Sequence, residues 1–179
     1  MGHSNIFLVG MMGAGKTTVG RALASRMKRE FVDTDRLLVD RTGVAVATVF
    51  EIEGEEGFRR RESSVLEEIC ERDGRVVATG GGIVLAEANR RLMRECGTVV
   101  YLRARLESLW ERTRHDTNRP LLATPNPKAR LAELLRQREH LYREAAHVIV
   151  ESGPQSASTL VNRVMAALRT REQGAARAP

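Results

Sequence analysis

A chain of 179 residues, 42% apolar and 29% charged, has enough apolar sequence to bury one core and the length of a single domain. Its net charge of +6 invites a nucleic-acid partner, but 26 of the 29 basic residues are arginines scattered along the chain, and four Phe, two Tyr and one Trp offer few platforms for stacking on bases. No run approaches the roughly 18 apolar residues of a membrane span, and the N-terminus lacks the basic region and long apolar run of a secretion signal. Neither a nucleic-acid partner nor a membrane is expected, and the location is expected to be cytoplasmic.

In chain order, Asn5–Val9 reads as a short strand buried on both faces. Val19, Leu23 and Met27 recur at helical spacing over 17–28. "FVDTD" at 31–35 reads as a second strand ending in acids, and 36–53 as short helices broken at Gly43. A longer helix follows from Gly54, with Phe58, Val65, Leu66 and Ile69 on its apolar side. "RVVATGGG" at 75–82 is a third strand running into three glycines; 87–95 is helical, 97–102 a fourth strand and 106–114 a helix. Residues 113–126 lose all periodicity and read as a mobile lid. A helix over about 128–143, a fifth strand at 147–151 and a closing helix at 159–168 complete one domain over 1–170. The tail 171–179 is expected to be disordered. Strands alternating with helices predict an α/β fold, a parallel sheet flanked by helices. Cys70 and Cys96 have no metal-ligand spacing and read as reduced, partly buried thiols.

Gly10-Met-Met-Gly-Ala-Gly15-Lys16-Thr17 matches the phosphate-loop pattern, between a strand and a helix as that pattern requires. Glycines let bare backbone approach a phosphate. The amides of Gly13, Ala14, Gly15, Lys16, Thr17 and Thr18 can then donate inward, helped by the positive end of the helix. Lys16 can reach the terminal phosphates and the Thr17 hydroxyl can ligate Mg²⁺. At this chain's own residue frequencies, chance yields the pattern in roughly two of a thousand such chains.

Asp33 and Asp35 lie two apart at the end of the second strand, where both side chains face one side. One can support hydrated Mg²⁺ and the other can accept a hydroxyl proton; Asp35 as a plain helix cap is the competing reading. Gly80, Gly81 and Gly82 can offer backbone to a ligand or form only a turn. Of Arg59, Arg60 and Arg61, neighbours on a helix, at most one or two can enter a cleft. Arg119 lies in the lid, where an arginine can stabilise transferring phosphate charge. Arg112 and Arg138 have no distinguishing local chemistry. His115, His140 and His147 are dispersed and read as solvated or capping.

Together, "GMMGAGKTT", "FVDTD", "GEEGFRRRE", "VVATGGGIV", "VVYL", "NRPLL" and "LYREAA" make the chain resemble the shikimate kinase family over about residues 5–150. The resemblance implies a nucleoside-monophosphate-kinase-like fold with a five-stranded parallel sheet. It implies transfer of the γ-phosphoryl group of ATP to the 3-hydroxyl of shikimate, a step toward chorismate and the aromatic amino acids, by a monomer needing Mg²⁺. It assigns residues 13–18 to phosphates, Thr17 and Asp33 to the metal and Asp35 to the acceptor hydroxyl as base. It assigns Arg59 and Arg138 to the substrate carboxylate, Gly81 and Gly82 to backbone contacts, Arg119 to the phosphates and Arg112 to adenine. Lys16, Asp35 and Arg119 form the expected catalytic set. Two stretches depart from the family pattern. No proline precedes Leu141-Tyr142, and "VESGPQ" lacks the acid–Thr pattern of the adenine loop around 152–154. The alternatives are a kinase of another small hydroxy acid, such as gluconate, and a nucleotide-binding module or nucleic-acid-dependent ATPase.

Overall fold

Asn5–Val9 (β1), Glu30–Asp33 (β2), Arg75–Ala78 (β3), Gly97–Arg103 (β4) and Val148–Glu151 (β5) pair as one parallel sheet in the order β2-β3-β1-β4-β5. The computed structural model describes residues 4–116 and 119–177. β1 is central and buried throughout, as its "NIFLV" run requires of a strand covered on both faces. Lys16–Met27 (α1), Thr34–Thr42 (α2), Val46–Cys70 (α3), Glu87–Cys96 (α4), Leu106–Thr113 (α5), Pro127–Ala145 (α6) and Ala157–Arg177 (α7) flank it. α1 packs on α7, while α4 packs on α3 and α6. Leu23, Leu66, Met93, Leu131 and Val161 carry one core across these contacts.

The chain leaves β1 toward β2 on one side and later crosses from β3 to β4 on the other, so the winding reverses at β1. Ligands of open α/β sheets bind beyond the carboxyl ends of the strands at such a reversal. Gly10, Asp33, Thr79 and Ser152 stand at or just past those ends.

Several boundaries differ from the sequence expectation. β2 stops at Asp33, whose carboxylate caps α2 by accepting from the Asp35 and Arg36 amides at 3.1 and 3.2 Å. The cap is therefore Asp33, and Asp35 belongs to the first turn of a helix rather than to a strand. α3 contains a backbone break at Gly54 (φ 68, ψ −177), where the longer helix was expected to begin. The tail expected to be disordered from 171 is helical to Arg177, in keeping with its Ala, Glu, Gln and Arg content. Residues 117 and 118 of the expected lid, and 178 and 179 of the tail, lie outside the described residues. Among the described residues no helix is long and apolar enough to cross a membrane. His147 takes a capping role: its Nδ1 accepts the Val99 amide at 3.0 Å, and burial, with Arg171 and Arg94 nearby, lowers its pKa to about 4.

Candidate active site

The phosphate loop follows directly from β1. Gly15 is the N-cap of α1 in the left-handed region (φ 95), open to glycine and strained for other residues. With no side chain of its own it cannot cap, so the first-turn N–H groups of α1 lack the side-chain acceptor that Asp33 and Asn126 give α2 and α6. Lys16 turns back under the loop, and its ammonium donates to the Gly10 and Met11 carbonyls at 2.7 and 2.9 Å. Thr17 Oγ1 donates to Asp33 Oδ2 at 2.8 Å, joining the loop to the end of β2. A cavity of about 250 Å³ opens here, lined by Gly13, Gly15, Lys16, Thr17, Thr18 and Asp33, among others.

A second cavity of about 190 Å³ lies beside it. Its polar side is Asp35, Arg59, Glu62 and Arg138; its apolar side is Val46, Phe50, Phe58, Pro120 and Leu121. Phe50 and Phe58 stack with ring centroids 4.4 Å apart. Arg59 donates to Glu62 at 2.8 Å and to Glu55 at 3.3 Å. Its guanidinium rests on the bare backbone of Gly82, where any side chain would collide with it. Gly80 is held by its amide, which donates to the buried Thr34 Oγ1 at 2.9 Å. Met12, Asp35, Gly80, Gly81 and Arg119 line both cavities. Arg119 also pairs with Asp116 at 2.8 Å.

Burial and crowded charge set the electrostatics. The Lys16 residue is only half-buried by surface, but its ammonium sits deep among protein atoms. Burial is the main cause that brings its pKa down to about 8; Asp35 opposes the shift and Arg119 adds to it. Burial, then the Asp33 charge, raises the Asp35 carboxyl, while Lys16, Arg59 and Arg119 hold it down. Burial also raises Glu62 against the pull of Arg59.

The structure brings together Lys16, Thr17, Thr18, Asp33, Asp35, Arg59, Gly81, Gly82, Arg119 and Arg138. Only Arg59 of its triplet lines the cleft; Arg60 and Arg61 pair outside with Glu56 and Glu53. Arg112 stands apart, donating to Gly13 O at 3.0 Å, to Ser152 Oγ at 3.2 Å and to Gly153 O. Ala14 O accepts from Ser152 Oγ at 2.8 Å, tying the segment after β5 to the phosphate loop.

Sequence reasoning missed Glu62 and the apolar wall of Val46, Phe50 and Phe58. An acid three residues after Arg59 was a legible signal for Glu62, because that spacing pairs on a helix. Phe58 was read only as core, and nothing local marks a core aromatic that also faces a cavity.

A phosphate loop, an adjoining pocket into which Arg59 and Arg138 face, and an acid and a third arginine, Arg119, on the shared wall define the class: a small-molecule kinase of the phosphate-loop type. The shikimate kinase family model matches residues 12–169. Shikimate kinases from Nitrosospira multiformis and Bordetella avium are 60% identical over 152 residues and 54% over 168, covering 85% and 94% of this chain and 78% and 80% of theirs. The structure of shikimate kinase from Acinetobacter baumannii in complex with shikimate matches with TM-score 0.91 at 45% identity, over 93% of both chains. A gluconokinase from Sinorhizobium meliloti, 20% identical with TM-score 0.64 over 98% of both chains, shares the fold. The chain belongs to the shikimate kinase family.

Proposed function

We propose that the protein transfers the γ-phosphoryl group of ATP to the 3-hydroxyl of shikimate, giving shikimate 3-phosphate and ADP. The observation that carries this reading is the wall common to the two cavities. Asp35 and Arg119 line both, so an acceptor hydroxyl in one and a terminal phosphate in the other meet between them. Arg59 and Arg138 hold the acceptor carboxylate, a planar anion suited to forked guanidinium donors. Glu62 holds Arg59 in place. Val46, Phe50 and Phe58 cover the apolar edge of the ring. That apolar wall favours a cyclic acceptor over gluconate, an open chain with hydroxyls along its length.

Positioning and electrostatics supply most of the rate. Lys16 exchanges its two carbonyl partners for phosphate oxygens. Arg119 balances charge on the transferring group. Asp35 orients the attacking hydroxyl and takes its proton. Closure of the 113–126 segment excludes water, a competing acceptor. Arg112, with the residues around 152–154, borders the adenine. Thr17 Oγ1 and the Asp33 carboxylate are hard oxygen donors in contact at the phosphate cavity, a set that fits Mg²⁺ held jointly with substrate phosphates and water. When bound, Mg²⁺ screens the charge between the β- and γ-phosphates. We further assign the protein to the cytoplasm, as a monomeric one-domain enzyme of aromatic amino acid biosynthesis.

The test is ADP release with Mg-ATP in the presence of shikimate, gluconate, DNA or no acceptor. Turnover is expected with shikimate alone; equal or faster turnover with gluconate or DNA would replace this reading.

The charge state of Lys16 gives a second expectation. Burial brings the Lys16 pKa down to about 8, and nearby phosphates favour the charged form. ATP binding near pH 8 should therefore take up protons, and affinity should weaken as pH rises further. Calorimetry in two buffers of unequal ionisation heat measures the uptake, and Asp35→Asn, which removes a charge that holds the Lys16 pKa up, should increase it. Heats independent of buffer would contradict the assignment.

A further inference from the structure

Tyr142 has no role in the scheme above, yet its hydroxyl meets three parts of the site. It donates to the Gly81 carbonyl, lies 3.4 Å from Met11 Sδ in the phosphate loop, and sits beside the guanidinium of Arg138. Arg138 and Tyr142 are four apart on α6 and share its buried face. The Tyr142 ring is fully buried and stacks on Tyr101, centroids 5.0 Å apart and planes 24° apart. That packing fixes where the hydroxyl can be. A phenol has one proton to give, and the closer acceptor, the Gly81 carbonyl, receives it.

Gly81 borders both cavities. A Cβ there would stand 3.5 Å from Gly10 O and from Met12 N, so about the width of a methyl group separates its backbone from the phosphate loop. A peptide unit is planar and trans, so holding the carbonyl of Gly81 turns the N–H of Gly82 to the opposite side, away from Tyr142. Gly82 in turn carries the guanidinium of Arg59. One hydroxyl thereby orients a backbone donor in the acceptor pocket and stands against two of the three arginines that line it, directly at Arg138 and through Gly82 at Arg59.

We propose that Tyr142 is a positioning residue for the acceptor: by pinning the peptide between Gly81 and Gly82 it sets the affinity for the carboxylated substrate, without touching either substrate. The inference rests on the shikimate kinase reading above.

The experiment compares wild type with Tyr142→Phe, which keeps the ring and its stacking and removes only the hydroxyl. The KM for shikimate should rise about tenfold, the effect of leaving one buried carbonyl without its donor. The KM for ATP should stay within about twofold and kcat within about threefold. The melting temperature should fall under either account, but a role in packing alone would leave the two KM values in their original ratio. Replacing Tyr142 by p-aminophenylalanine, which restores a donor at the same place, should return the shikimate KM to within about threefold of wild type. An unchanged shikimate KM in Tyr142→Phe, equal rises for both substrates, or failure of the amino form to rescue would overturn the proposal. The two readings fail separately: a wild type inactive on shikimate defeats both, while an active wild type with an indifferent Phe variant defeats only this one.

Discussion

Asp35→Asn is expected to lower kcat by about a thousandfold while ATP still binds with near-normal affinity, within the range of losing a general base. Asn keeps the size and one acceptor oxygen, so the hydroxyl can still be held, but it takes no proton at neutral pH. The hydrogen bonds of the phosphate loop are kept, because Lys16 donates to the Gly10 and Met11 carbonyls and Thr17 to Asp33, not to the Asp35 side chain. The wild-type carboxyl is raised by burial and by Asp33, so the acid limb of kcat/KM should begin above the ordinary carboxylate range and change in the variant. Stopped-time ADP release and ATP titration by fluorescence or calorimetry separate the two effects. Turnover within about tenfold of wild type would remove Asp35 as the base.

Arg138→Met should raise the KM for shikimate by about a hundredfold or more, with the KM for ATP nearly unchanged. Arg138 is 3% exposed and lines the acceptor cavity. Charge-assisted bonds to a carboxylate in such a place contribute about 1.5–3 kcal/mol each. Arg138→Lys keeps a charge but loses the fork, and should recover only part of the loss. The same variants tested on a shikimate analogue lacking the carboxylate should show little difference from wild type. A large effect on that analogue would mean that Arg138 supports the pocket rather than the acid group.

The local chemistry of the phosphate loop made its place legible in advance, since glycines, lysine and threonine at fixed spacing have few other uses between a strand and a helix. The five strands were legible because their apolar runs are short and bounded by turns. Arg59 and Arg138 were not legible from spacing. They lie on different helices, 79 positions apart in the numbering, and only the fold brings them to one pocket; the family resemblance supplied them. Asp35 lines both cavities, but not from the end of a strand as its spacing from Asp33 suggests. It points there from the first turn of α2, because Asp33 ends the strand by capping that helix. At the C-terminus α7 continues past the expected stop at 168, because Ala, Glu, Gln and Arg are good helix formers, a propensity signal that the expectation of a disordered tail passes over. The hydroxyl of Tyr142 illustrates a further limit: a buried tyrosine in a helical pattern reads as core until its acceptor is known.

The wall common to the two cavities also bears on inhibition. A carboxylated ring joined by a short tether to a di- or triphosphate would lie across Asp35, Arg119 and Gly80 without leaving either chamber. Its second half would bind at the millimolar effective concentration that a short linker provides. Such a compound should outcompete its separated halves by orders of magnitude, and kinases of this fold without the paired arginines should ignore its acidic end.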